Sequence, residues 1–245
     1  PIKELSDSAS AAEKLQDELI YNEKMQTNWL QDITHDLKAP IAALGIQLDA
    51  SLNGALKIDN ERLEKLIEET RQLNEMVNEL SLYTSIRTGE IKITKERILL
   101  RSFLTEILDR FKSVADKKNI KLELGSQNLD SEILFDKKGL YRIFNNLVIN
   151  AINNTAVGEN IYIYVNKNEH TLTVSIENPG CVSEEELPLL FNRLFRSKDS
   201  GYEGRGLGLA ISNAIAENND SKISVHNTDT GTVVFNLAIA TLNSH

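Results

Sequence analysis

Between Leu30 and Leu80 the apolar residues recur by threes and fours, a spacing that fits long amphipathic helix and little else. Leu30, Ile33, Leu37, Ile41, Leu44 and Leu48 draw one stripe, and Leu63, Leu66, Leu73, Val77 and Leu80 draw a second. The interval between them, from Leu52-Asn53-Gly54 to Asp59-Asn60, is made of turn and cap residues, with Asp59 or Asn60 as the N-cap of the second helix. Two helices joined by so short a loop form an antiparallel hairpin. Stripes this long at nearly heptad spacing favour pairing with a second copy, as a four-helix bundle, over an ordinary hairpin packed on the next domain. Leu5, Leu15 and Leu19 continue the pattern upstream, so residues 1–19 read as a connecting helix or a frayed terminus.

The pattern changes at Thr88-Gly89-Glu90, which ends the second helix. Short strand-like runs then alternate with helical ones. Strands are predicted at Ile91–Thr94, Ile120–Leu124, Ile161–Val165, Leu172–Glu177, Ile223–Val225 and Thr232–Ala238. Helices are predicted near Leu100–Asp116, Lys137–Thr155 and Leu207–Glu217. Crossovers and hairpin-like neighbours both occur, so the second half is a two-layer α/β sandwich with a mixed sheet, its helices on one face. The fold class is therefore α + α/β, divided into residues 1–19, 20–88 and 89–245.

Composition removes several alternatives. The chain has 245 residues, of which 41% are hydrophobic and 26% charged, enough for a substantial core. A net charge of −9 gives no electrostatic case for nucleic acid. The single cysteine, Cys181, rules out an intrachain disulfide and fits a reducing compartment. No apolar run approaches the ~20 residues of a membrane span. The chain opens on Pro1 rather than Met, which leaves open that it is a piece of a longer protein with a membrane segment upstream.

Three places could carry chemistry. His35 precedes Asp36 in Asp32-Ile33-Thr34-His35-Asp36-Leu37-Lys38-Ala39-Pro40. A carboxylate beside an imidazole can hold one ring nitrogen and leave the other nucleophilic, although an isolated His-Asp pair is more often an ordinary surface feature. Pro40 removes a helical N–H and frees the carbonyl of Asp36, so the helix should loosen just after His35. Next, Asn146, Asn150 and Asn153 fall on one side of a helix whose other side is Phe144, Leu147, Val148 and Ile152. Asparagine is a middling helix former, and its repetition on one face points to oxygen ligands for Mg²⁺ or to phosphate contacts; a polar solvent face would more often carry Lys and Glu. Last, Gly201–Ile211 is a glycine-rich loop running into a helix, where backbone N–H groups can approach phosphate or simply make a turn. No strand immediately precedes it, no Gly-Lys-Ser/Thr follows it, and the cysteine and four histidines lack zinc spacing.

Taken in order, these residues resemble the bacterial sensor histidine kinases over about residues 20–240. His35-Asp-Leu-Lys-Ala-Pro40 resembles the family's phosphoacceptor box, and the run through Asn146, Asn150 and Ala151 resembles its N box. Phe191-Asn-Arg-Leu-Phe-Arg196 resembles its F box, and Gly204–Ile211 its second glycine box. The resemblance implies a dimerisation and phosphotransfer hairpin over 20–88 and an ATP-binding catalytic domain over 89–245. It implies that His35 accepts the γ-phosphoryl group of ATP while Asp36 orients the imidazole and takes its proton. Asn150 would bind Mg²⁺, with Asn146 close by; Gly204, Arg205, Gly206, Leu207 and Gly208 would border the phosphates, and Asn192–Arg205 would form a lid. The implied partners are a second copy of the chain and a response-regulator receiver domain, and the implied setting is the cytoplasmic portion of a membrane-anchored receptor. Two rival readings are a degenerate kinase serving as a nucleotide-binding scaffold and a different ATPase with the same nucleotide-binding fold.

The sequence departs from the family pattern at three points. The adenine box, usually Asp-x-Gly-x-Gly, is here Asn178-Pro179-Gly180-Cys181-Val182, one residue shorter and without its second glycine. The resemblance implies the base-binding role for Asn178 and Gly180, and strand alternation supports Asn178 over Glu177, since it puts Asn178 on the face of Leu172, Val174 and Ile176 and points Glu177 the other way. Ala39 stands where a side chain that positions water for dephosphorylation is common. Asn153 and Asn154 stand where Lys and an aromatic are common, and Arg205 is the cation expected to compensate. The segment Ser85–Thr94 and the bend at Pro40 are the expected hinges.

Overall fold

The computed structural model describes residues 37–192, 195 and 206–241, together with Gln16 and Thr34. These fall into two compact units that divide between Val77 and Asn78.

The first unit is the helical hairpin. Helix α1 covers 37–52 and carries Pro40 within its first described turn. The chain reverses through Gly54, whose φ of 71° is a left-handed conformation that glycine adopts without strain. Asp59 settles the cap: its Oδ1 accepts from the backbone N–H of Arg62 at 2.9 Å, and helix α2 follows as Asn60–Arg87. Gln47 of α1 donates to Glu69 of α2 across the hairpin. Only part of the two stripes is covered. Leu66 is buried, whereas Ile41, Leu48, Leu63 and Val77 are each about half exposed, at 57, 49, 47 and 48%. Leu30 and Ile33, and the connecting helix expected over 1–19 apart from Gln16, lie outside the described residues.

The second unit begins with the last turns of α2. Tyr83 and Ile86 are buried, and Gly89, with φ of 73°, closes the helix after Arg87. The elements that follow are β1 (Lys95–Leu99), α3 (Leu100–Lys117), β2 (Lys121–Leu124), β3 (Glu132–Asp136), α4 (Lys137–Asn154), β4 (Asn160–Lys167), β5 (Thr171–Pro179), α5 (Gly208–Asn218), β6 (Lys222–Asn227) and β7 (Thr232–Ala240). Five strands form one mixed sheet in the order β2-β4-β5-β7-β6, parallel only between β2 and β4. Its inner face carries Ile161, Ile163, Val174, Ile176, Phe235 and Leu237, all buried together with Leu104, Ile107, Phe144 and Leu147 of the helices. This is the helical hairpin and mixed-sheet sandwich expected from the sequence.

Two local expectations need correction. The strand expected at Ile91–Thr94 is irregular, and the strand starts at Lys95. Its partner is β3, which the sequence reading missed; the two form a separate antiparallel pair with Lys95 opposite Asp136. Among the described residues no helix is long and apolar enough to cross a membrane.

Helix α4 begins where β3 ends, and its start is fixed against α5. Asp136 caps the helix by accepting from Gly139 N–H at 2.7 Å, and its own N–H donates to Oδ1 of the buried Asn219 at 2.9 Å. A Cβ on Gly139 would meet Ile215 Cγ2 at 2.7 Å and Asp136 Oδ2 at 3.0 Å. Gly139→Ala should therefore cost about 1–3 kcal/mol by overpacking, read from a denaturant melt. An unchanged midpoint would mean that α5 can give way there.

Candidate functional site

The asparagines of α4 have distinct surroundings. Asn146 is half-buried and donates both amide hydrogens to α5, one to Gly208 O at 2.8 Å and one to Ser212 Oγ at 3.0 Å. Asn150, one turn later, accepts from Asn154 Nδ2 through its backbone carbonyl at 2.8 Å and through its Oδ1 at 3.0 Å. An amide oxygen has two lone pairs, so Asn150 Oδ1 keeps one for a further ligand. At Asn153, Lys118, which follows α3, donates to Asn153 Oδ1 at 3.4 Å and to Ile152 O at 3.1 Å. Asn145 holds a buried oxygen that has no hydrogen-bond partner among the described residues.

The strand side of the candidate site is built by β5. Asn178 is buried on the inner face with Leu172, Val174 and Ile176, as the alternation predicts. Its Nδ2 donates to Pro179 O at 2.9 Å, so Oδ1 is the atom it can offer as an acceptor. Glu177 points to the opposite face, where it accepts from Thr232 Oγ1 at 2.8 Å. There burial, with the Glu177 carboxylate beside it, pushes the Tyr164 hydroxyl above its ordinary pKa. After β5 the chain turns through Gly180, with φ of 122°, and Gly180 N–H donates to Gly231 O at 3.0 Å. Asn227 of β6 then clamps Val182, accepting its N–H at 3.0 Å and donating to its carbonyl at 2.6 Å. Cys181 sits exposed between these two anchors.

The glycine loop is described from Gly206 onward. Gly206 has φ of 69°, Leu207 is buried, and α5 starts at Gly208. His35 and Asp36, together with Gly204, Arg205 and all of the expected lid except Asn192 and Phe195, lie outside the described residues. The structure therefore brings Asn146 together with Gly208, while Asn178 and Gly180 stand two positions apart at the exit of β5. Four residues that hold this region were not singled out from the sequence: Ser212, Asn219, Asn227 and Lys118. Each acts on a partner at least 34 positions away, so local spacing carries no signal for them.

The end of α2 is tied to the far end of α5. Asn218 Nδ2 donates to Ile86 O at 3.1 Å, Arg87 pairs with Glu217 at 3.1 Å, and Lys95 pairs with Asp220 at 2.7 Å. Ser85 O accepts from the N–H groups of both Glu90 and Ile91. The segment expected to be a hinge at Ser85–Thr94 is thus hydrogen-bonded at its start.

Residues 135–241 match the family described as the histidine kinase-, DNA gyrase B-, and HSP90-like ATPases. That match alone leaves several enzyme classes open. Residues 25–89 match the His Kinase A (phospho-acceptor) domain. The chain belongs to the sensor histidine kinases. Among its relatives, the signal transduction histidine-protein kinase BaeS of Escherichia coli is 30% identical over 226 residues, covering 90% of this chain and 48% of that protein. The solved structure of the Acinetobacter baumannii histidine kinase AdeS has the same fold, with a TM-score of 0.69 at 21% identity, covering 85% of this chain and 98% of that one. A histidine kinase, ThkA, solved in complex with the response regulator protein TrrA, superposes with a TM-score of 0.64 at 24% identity, covering 88% of this chain and 61% of that one. The chain spans about half the length of the curated sensor kinases it matches.

Proposed function

We propose that this chain is the kinase core of a two-component sensor: it transfers the γ-phosphoryl group of ATP to His35 and passes it to an aspartate of a response regulator. The observation that carries this reading is the order of the two matched domains on one chain, a phospho-acceptor hairpin followed by an ATPase-type sandwich. In the reaction the free imidazole nitrogen of His35 attacks the γ-phosphorus, the phosphorus–oxygen bond to ADP breaks, and Asp36 holds the other ring nitrogen and takes its proton. Phosphoryl transfer depends mainly on in-line placement and charge neutralisation. Asn178 and Gly180 would hold the adenine, and Gly204, Arg205, Gly206 and Leu207 would border the phosphates.

Mg²⁺ fits the donor set. Asn150 offers a neutral amide oxygen, suited to a hard cation whose remaining ligands are phosphate and water. When bound, the ion would offset the charge of the phosphates. The half-exposed stripe of α1 and α2 supports a homodimer through residues 20–88, since a second copy would cover Ile41, Leu48, Leu63 and Val77. On this reading residues 89–245 are the ATP-binding catalytic domain, and the signal is received elsewhere in a membrane-anchored receptor whose cytoplasmic portion this is.

The test is incubation with γ-labelled ATP and Mg²⁺. Acid-labile, base-stable label on the protein is expected. A folded dimer that binds nucleotide but takes no label at millimolar ATP would replace the kinase with a nucleotide-binding scaffold.

Asn178 offers the base a neutral acceptor, worth about 0.5–1.5 kcal/mol, where a carboxylate gives about 1.5–3. Asn178→Asp should therefore bind ATP about tenfold more tightly, measured by calorimetric titration with a non-hydrolysable analogue. Equal dissociation constants would remove position 178 from base recognition.

A further inference from the structure

We infer that Asn146 is a positioning residue, part of a packed lock with Gly208 and Ser212 that sets the start of α5 against α4, with no amide hydrogen left to offer phosphate. The inference rests on the ATP-binding reading of this region. Three observations carry it. First, both amide hydrogens of Asn146 are spent on α5, on Gly208 O and Ser212 Oγ. Second, Ser212 Oγ donates in turn to Gly208 O at 2.8 Å, so the three residues close a ring of hydrogen bonds; Ser212 has no exposed surface at all. Third, a Cβ built on Gly208 would lie 3.4 Å from Asn146 Cγ and 3.6 Å from both Nδ2 and Oδ1. Near-equal distances to the three amide atoms mean that the amide lies flat against the glycine. The Asn146 amide is the nearest group to that missing Cβ.

Gly206 needs its positive φ. Gly208 is helical, and its carbonyl accepts from both Asn146 and Ser212. The consequence for function is geometric. Leu207 and the loop before it enter α5 at a point fixed by an asparagine on the helix that also carries Asn150. The lock thus registers the glycine loop to the proposed metal-binding helix.

The test is a double-mutant cycle on Asn146→Ala and Ser212→Ala, read by titration with a fluorescent ATP analogue at a temperature where every variant is fully folded. Loss of stability alone leaves that affinity unmoved. Ser212 cannot reach a nucleotide, so any effect of its change on affinity must pass through the ring. Each single variant should lose about two- to tenfold in affinity, the worth of one hydrogen bond. The double variant should lose no more than the worse single one. Losses that multiply, or an Asn146→Ala loss with Ser212→Ala unchanged, would overturn the lock and return Asn146 to the ligand. If the wild type binds no nucleotide, the ATP reading fails by itself. The same cycle read by thermal melting of the nucleotide-free protein then decides the lock, since independent side chains would give additive shifts.

Discussion

Replacing His35 with Gln should abolish phosphoryl label on the protein while leaving nucleotide affinity and the melting curve as in the wild type. Glutamine keeps the length and polarity of the side chain but offers no nucleophilic nitrogen, so no phosphorus–nitrogen bond can form. The proposed nucleotide site lies in the separate region matched over 135–241, so binding should not register the change. The comparison is read by counting label on wild type and variant after equal incubation with γ-labelled ATP and Mg²⁺. The expected result is a fall to background. Undiminished label would place the acceptor elsewhere. Steady release of inorganic phosphate by the variant, at the wild-type rate, would identify an ATPase for which the histidine is incidental. That outcome would also remove the reason for Asp36 to stand beside it.

The parts of this protein that were legible from its sequence are those fixed by local chemistry. Asp59 caps α2 because a short acidic side chain before a helix finds an orphan N–H, and Gly89 ends the helix with a conformation that other residues adopt at a cost. The alternation along β5 separates Asn178 from Glu177, and the two lie on opposite faces as period two demands. What was not legible depends on partners far away in the chain. Ile91-Lys-Ile-Thr94 alternates as well as many strands do, yet the strand begins at Lys95, because pairing follows the position of β3 and not the alternation alone. β3 itself is a short apolar run between Glu132 and Asp136 and has little local signature. The site shows the same division. The asparagine repeat and the glycine loop stand out as unusual residues, but Asn146 is separated from Gly208 by 62 positions and from Ser212 by 66. Sequence spacing located the residues but carried no signal for the bonds from Asn146 to Gly208 and Ser212.

Phe144→Ala should be the most damaging single change in the catalytic unit. Phe144 is 1% exposed and meets Phe103 of α3 edge-on, with ring centroids 5.1 Å apart and planes at 81°. Phe103 in turn tilts against Tyr141 at 5.0 Å, and the Arg110 guanidinium lies 5.0 Å over the Tyr141 ring. Burial, reinforced by the hydrogen bond from Tyr141 to Glu106, pushes that hydroxyl up to about 12. These rings pack α3 against α4. Truncating Phe144 removes the buried ring and leaves a cavity between helices that strands on the other side hold in place, so the site can collapse only partly. The cost should be about 3–5 kcal/mol, a shift of roughly 10 °C or more in the melting midpoint of a unit this size. Phe144→Leu keeps most of the volume and should cost much less. The functional consequence follows from which helix moves. α4 carries Asn146 and Asn150 on the side opposite Phe144, so a loosened α4 should also lower nucleotide affinity at temperatures where the variant is still folded. If the midpoint falls but affinity at low temperature is unchanged, the lock between Asn146 and α5 is strong enough to hold the site without the aromatic cluster behind it. If neither moves, α3 and α4 are not joined through these rings.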